Sequence, residues 1–136
     1  MINKYQLFTD GAFATSKTVM GYAFVVLKDG EKIYSWSNGQ NGGTNIRAEI
    51  LACYYAIKWC KDNNISEFEI LTDSMQLIGT YTRNWKRNKN NDLWDAMDKL
   101  MKGLTIQWTK VKGHTGNKYN ELCDCLAVTA SNVEYD

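Results

Sequence analysis

The chain has 136 residues, 44% of them hydrophobic, a length suited to one compact domain spanning 1–136 that buries a core of its own. Sixteen basic side chains against fifteen acidic ones leave a formal charge of +1, so bulk charge argues for neither a nucleic-acid nor a membrane partner. No apolar run reaches the ~18 residues that a bilayer span needs, and no basic-then-apolar leader opens the chain, so we expect no membrane partner and a cytoplasmic location.

In chain order, three strands are expected first: Lys4 to Thr9, Gly21 to Lys28 and Lys32 to Ser37. The second and third are joined by Asp29-Gly30, a pair suited to a two-residue hairpin turn, and so run antiparallel. A polar loop, NGQNGGTN, leads into a helix with Ile46, Ile50, Cys53, Tyr54, Ile57 and Cys60 at helical spacing, capped by Thr44 or Asn45. EFEILTD alternates as a fourth strand. Ser74 to about Trp85 and about Leu93 to Lys102 read as two helices, the latter stopped by Gly103. Thr105 to Val111 is the last strand, and a helix from about Asn120 to Ser131 closes the order βββ-α-β-α-α-β-α. Strands separated by helices favour parallel pairing, so the fold class is α/β: a five-stranded mixed sheet, the first three strands antiparallel and the later two parallel, flanked by about four helices.

Cys53, Cys60, Cys123 and Cys125 contain no CxxC, and His114 is the sole histidine. Zinc-ligand spacing is therefore lacking, and small thiols in a reducing compartment are expected.

Four acids stand out by placement. Asp10 closes the first strand in YQLFTDGAF, Asp73 closes the fourth, and Glu49 and Asp124 lie in the first turns of helices. Singly, each suits a turn or a helix N-terminus. Ligands of open α/β sheets collect beyond the carboxyl ends of the strands, where such acids can converge. Converging carboxylates raise one another's pKa unless a cation neutralises them, and an all-oxygen set suits Mg²⁺ or Mn²⁺.

FTDGAF, TNIRAEILACYYAI, ILTDS and WTKVKGHTGNKYNELCDCLA together resemble type 1 ribonucleases H over nearly the whole chain, in the family's order. The resemblance implies the ribonuclease H-like fold and a metal-dependent endonuclease that hydrolyses the RNA strand of RNA–DNA hybrids, leaving 5′-phosphate and 3′-hydroxyl ends. It implies two Mg²⁺ ions, with Mn²⁺ as a substitute, held by Asp10, Glu49, Asp73 and Asp124. Asp10 would bridge both, Asp124 would complete the ion that prepares the water, and Glu49 and Asp73 the ion facing the leaving oxygen. His114 would be a mobile-loop acid or base that accelerates turnover.

For substrate binding the family pattern implies Asn45 at the RNA minor groove and Thr44 at a DNA-strand phosphate. Ser16, Met75 through its backbone, Gln76 and Asn90 are further candidates, and Gly11 would let the RNA backbone come close. Two positions depart from the pattern: Ile46 replaces a frequent amide side chain and Gly42 a phosphate-binding arginine. The basic protrusion of many relatives is also missing between Asp73 and Leu93, where Arg83, Lys86, Arg87 and Lys89 around Trp85 would be either a reduced substitute or a solvated helix end. No separate hybrid-binding domain is expected, and a monomer, or a domain tied to a polymerase or other replication protein, is expected. The alternatives are a catalytically weak or substrate-shifted nuclease of the same fold and a non-catalytic nucleic-acid-binding domain of a larger assembly.

Overall fold

A computed structural model describes residues 4–112 and 117–135. The elements follow the expected order: β1 (Tyr5–Ala14), β2 (Val19–Lys28), β3 (Glu31–Asn41), α1 (Asn45–Asp62), β4 (Glu67–Thr72), α2 (Met75–Thr82), α3 (Asn91–Met101), β5 (Thr105–Lys110) and α4 (Lys118–Ser131). The strands lie side by side as β3-β2-β1-β4-β5. β1–β2 and β2–β3 are antiparallel, while β1–β4 and β4–β5 are parallel, as the helical crossovers require. Asp29 and Gly30 both take positive φ in the β2–β3 turn, as expected of that pair.

The sheet is covered on both faces, and β2 records this most directly. Its run VMGYAFVVL is buried without a break, because alternate side chains enter different cores. Phe24 and Val26 join Leu7, Ile50, Cys53, Ile57, Ile70, Trp94 and Met97 beneath α1 and α3. Ala23, Val25 and Leu27 join Phe8, Leu71, Cys123 and Ala127 beneath α4. The four cysteines are free, three of them buried, and burial pushes the Cys60 thiol up to about 12. Among the described residues no helix is long and apolar enough to cross a membrane.

Several element ends differ from expectation, each for a tertiary reason. β1 does not stop at Asp10 but continues to Ala14, since β2 pairs with it throughout, from Tyr5↔Lys28 to Ala14↔Val19. The partner that stops is β4, whose last pair with β1 is Phe8↔Leu71. β3 absorbs NGQN of the supposed loop because Asn38 to Asn41 pair with Tyr22 to Val19. α2 ends at Thr82 rather than near Trp85: the Trp85 N–H donates back to the Gly79 carbonyl at 3.1 Å, and its indole occupies the space that a side chain at 79 would need. α4 starts at Lys118, where the Asn117 side chain accepts from the Tyr119 and Asn120 N–H groups.

Candidate active site

Asp10 and Asp73 occupy matched places. Each lies two residues beyond the last parallel pair, Phe8↔Leu71, so the register sets both carboxylates past the point where β4 leaves β1. Asp10 therefore sits in mid-strand, supported from behind by β2 through its pair with Ala23. Backbone paired with β2 on that side gives a rigid base for the Asp10 side chain.

Two close backbone approaches bring the helical acids in. A Cβ at Gly11 would lie 2.7 Å from the Ala48 carbonyl oxygen and closer still to Ala48 C and Glu49 N. A Cβ at Gly21 would lie 3.0 Å from Ala130 C and closer to Ala127 O and Ser131 N. Only glycine at these positions lets α1 and α4 touch the sheet backbone from opposite faces, which carries Glu49 to Asp73 and Asp124 to Asp10. The expectation that Gly11 makes room for RNA is thus corrected: the space is taken by the first turns of α1.

Asp10 and Glu49 both sense the charge of Asp73. Burial, then the charge of Asp73, then a hydrogen bond and the charge of Asp124 push the Asp10 carboxyl far above the usual carboxylate range, to about 8. The Gly11 N–H, donating to Asp10 Oδ1 at 2.9 Å, opposes this only in part. Glu49 is also raised, first by burial and further by Asp73, while a hydrogen bond from Ser74 holds it down. Asp10 is buried, Glu49 half-buried, and Asp73 and Asp124 exposed, so the cluster opens to solvent on one side.

No three described His, Cys, Asp or Glu side chains close on a single ion position. Burial and the charges of Asp73 and Asp124 favour the protonated form of Asp10. The donor set nonetheless fits a divalent cation, being all carboxylate oxygen and carrying a buried acid whose ionisation needs a positive charge nearby.

Ser74, which the sequence reading placed only as the start of a helix, is a site residue. Its hydroxyl does accept from the Leu77 N–H at 3.3 Å, but it also donates to Glu49, and its own N–H is held by Thr72 Oγ1 at 3.0 Å. The available signal was its place directly after Asp73. Cys123, although beside Asp10, donates its thiol to the Phe8 and Ala23 carbonyls and is pushed far from ionisation, so it is packing.

The remaining expected residues are partly gathered. Thr44, not Asn45, is the α1 cap, its hydroxyl accepting from the Arg47 N–H at 3.1 Å, and Asn45 begins the helix beside it. Gln76 and Asn90 line one cleft together with Lys86 and Lys89. Met75 opens α2, and Ser16 is exposed in the β1–β2 turn. Arg87 leaves the basic group: it pairs with Asp98 and lies over the Tyr81 and Trp94 rings at 5.5 and 5.7 Å. His114 lies outside the described residues.

Known proteins share both pattern and shape. Residues 3–132 match the family model for RNase H. The chain is 34% identical to ribonuclease H of Treponema denticola, over 92% of this chain and 95% of that one. It is 36% identical to ribonuclease HI of Vibrio parahaemolyticus, over 96% and 92%. The fold superposes on RNase H1 of Halobacterium salinarum with a TM-score of 0.81 at 24% identity, covering 93% of this chain and 96% of that one. It superposes on the N-terminal RNase H domain of a Mycobacterium tuberculosis protein with a TM-score of 0.83 at 20% identity, covering 94% and 93%. With the four acids in the places just described and the family model spanning nearly all of its length, this chain belongs to the ribonuclease H family.

Proposed function

We propose that Asp10, Glu49, Asp73 and Asp124 hold two Mg²⁺ ions, with Mn²⁺ as a substitute, at which this ribonuclease H cleaves the RNA strand of RNA–DNA hybrids to 5′-phosphate and 3′-hydroxyl products. The observation that carries this reading is the rise in the Asp10 and Glu49 pKa values, driven first by burial and then by the charges of Asp73, and for Asp10 also of Asp124, acids brought in from separate elements. Bound divalent ions supply what carboxylates lack, a positive field that lowers the pKa of a water and takes up charge on the leaving oxygen.

The chain's own residues do the rest. Ser74 orients the Glu49 carboxylate, while the β2-backed strand fixes Asp10. Thr44 and Asn45, at an exposed helix N-terminus, suit a phosphate and a 2′-hydroxyl, the group that separates RNA from DNA. Met75 and Gln76, at the start of α2 beside Asp73, and Ser16 extend this surface. His114 takes or gives a proton near neutral pH, so His114→Ala should lower kcat by roughly 10- to 100-fold while leaving metal-induced stabilisation intact, read by thermal melts with and without Mg²⁺. We place the protein in the cytoplasm as a monomeric, single-domain enzyme; its free cysteines agree with a reducing compartment.

The deciding experiment offers end-labelled hybrid, RNA duplex, DNA duplex and single-stranded RNA with Mg²⁺, with Mn²⁺ or with chelator. Metal-dependent cleavage of the hybrid alone is expected. A blank hybrid lane with both metals sinks the proposal, and equal cleavage of DNA duplex would move the substrate.

A further inference from the structure

Between the end of β3 and the first residue of α1 the chain turns on two glycines. Gly42 and Gly43 take φ 82° and 92°, in the left-handed region, and Thr44 follows as the helix cap with Asn45 behind it. Both ends of this stretch are anchored. Asn41 pairs with Val19 and its side-chain amide donates to the Tyr135 carbonyl, while the Thr44 hydroxyl accepts from the Arg47 N–H. The glycines are the part free to move, since a residue without Cβ leaves the left-handed region at little cost.

Two contacts hold them, one from the first residues of β2 and one from the turn before it. The Gly42 N–H donates to the Thr18 carbonyl at 2.6 Å. Gly43 is held by shape: a Cβ there would lie 2.1 Å from Met20 Sδ, 2.3 Å from its Cε and 2.7 Å from its Cγ, so the thioether fills the volume that a side chain at 43 would take. A Cβ at Gly42 would meet nothing within 4 Å, so that glycine serves the backbone angle alone. Met20 is 1% exposed, whereas Gly43, Thr44 and Asn45 are exposed, so the methionine is a buried floor under a surface loop. Its cluster with Tyr22, Ala48 and Ala52 is separate from the two larger cores. An unbranched, polarizable thioether adapts to a bare stretch of backbone better than a branched side chain does.

We propose that Met20 is a positioning residue for substrate: its thioether, seated in the place left by the missing side chain at 43, fixes the Gly42-Gly43 turn and with it the direction in which Thr44 and Asn45 meet the hybrid. This rests on the hybrid reading above and adds to it what makes a double-glycine loop rigid enough to read a 2′-hydroxyl. Glu49 is placed by the contact at Gly11 and not by Met20, so binding rather than chemistry should answer to the methionine.

The test measures KM and kcat on RNA–DNA hybrid with Mg²⁺, at a temperature well below the Tm of every variant, together with hydrogen exchange at the Gly42 amide of the metal-free protein. Met20→Ala removes the floor. KM should rise about 5- to 10-fold with kcat within twofold, and Gly42 exchange should quicken at least ~10-fold as its bond to Thr18 opens more often. Met20→Val, a smaller truncation that suits a strand, should move both in the same direction by less. Met20→Leu, close to methionine in volume, should stay within about twofold of wild type. Val26→Ala is the control for lost core, since Val26 is fully buried on the same face of β2 and packs in a different cluster. It should lower Tm and leave both KM and Gly42 exchange as in wild type. An unchanged KM or unchanged Gly42 exchange in both truncations, or an equal rise in KM from Val26→Ala, overturns the proposal. An inactive wild type would instead overturn the hybrid reading, and the exchange result then decides whether Met20 holds the loop.

Discussion

Asp10→Asn is expected to lower hybrid cleavage about 10³-fold or more, some 4 kcal/mol of transition-state stabilisation, and at the same time to make the metal-free protein more stable at alkaline pH. Both follow from one property. Asp10 binds its proton far more tightly in the folded chain than a free carboxyl, with a pKa of about 8 against 3.8, through burial and the charges of Asp73 and Asp124. Between those two values the folded state carries a proton that the unfolded state has lost. Stability of the metal-free wild type therefore falls as pH rises from about 4 to about 8. Asparagine has the carboxyl's shape and no charge to acquire. Relative to the wild type, the variant should therefore gain stability from pH 5 to pH 8, seen as a Tm difference that grows with pH.

Metal reverses the sign. A divalent cation beside Asp10 favours its ionised form, so the Mg²⁺-induced rise in wild-type Tm should grow with pH over the same window, and Asp10→Asn should lose most of it. Melts at three pH values, with and without Mg²⁺, check this alongside the cleavage assay. A variant no more stable than wild type at pH 8 without metal would show that the acids do not repel one another as described.

Legibility in the sequence divides by the range of the interaction. Strand and helix existence followed from local period, and the order βββ-α-β-α-α-β-α held because each element carries its own pattern. Asp10 and Asp73 were visible because strands that end in aspartate are a local feature. What local pattern could not contain is which partner strand continues. Asp10 is followed by four more strand residues because β2, rather than β1 itself, decides where pairing ends. Arg47 met Asn90 and Asp92 across 43 and 45 positions, and Ser74 met Glu49 on another element. To a reader of local signals these two were a helix-surface cation and a cap. The basic group, read as either a reduced substitute or a solvated helix end, is divided by the structure: Arg87 has an acid and two rings on neighbouring helices, while Arg83, Lys86 and Lys89 pair with no acid among the described residues.

Gly11→Ala should be the most damaging small substitution outside the acids, although it adds one methyl group and removes nothing that touches a metal. The new Cβ would meet Ala48 C, Ala48 O and Glu49 N, all backbone atoms, so no neighbouring side chain can yield to make room. Either β1 or the first turns of α1 must move. β1 is held by unbroken pairing with β2, Gly11 lying opposite Tyr22, which leaves α1 as the element to be displaced. A shift of order 1 Å carries Glu49 away from Asp73 and loosens its bond to Ser74, and misplacement on that scale costs about 10²-fold in rate. Overpacking should also cost about 1–3 kcal/mol of stability. The expected signature is therefore kcat and Tm falling together. Gly21→Ala on the other face should show the same pairing through α4 and Asp124. A Gly11→Ala protein that keeps its Tm and kcat but raises KM would mean that the glycine faces the RNA backbone, and that the contact with Ala48 is not what places Glu49.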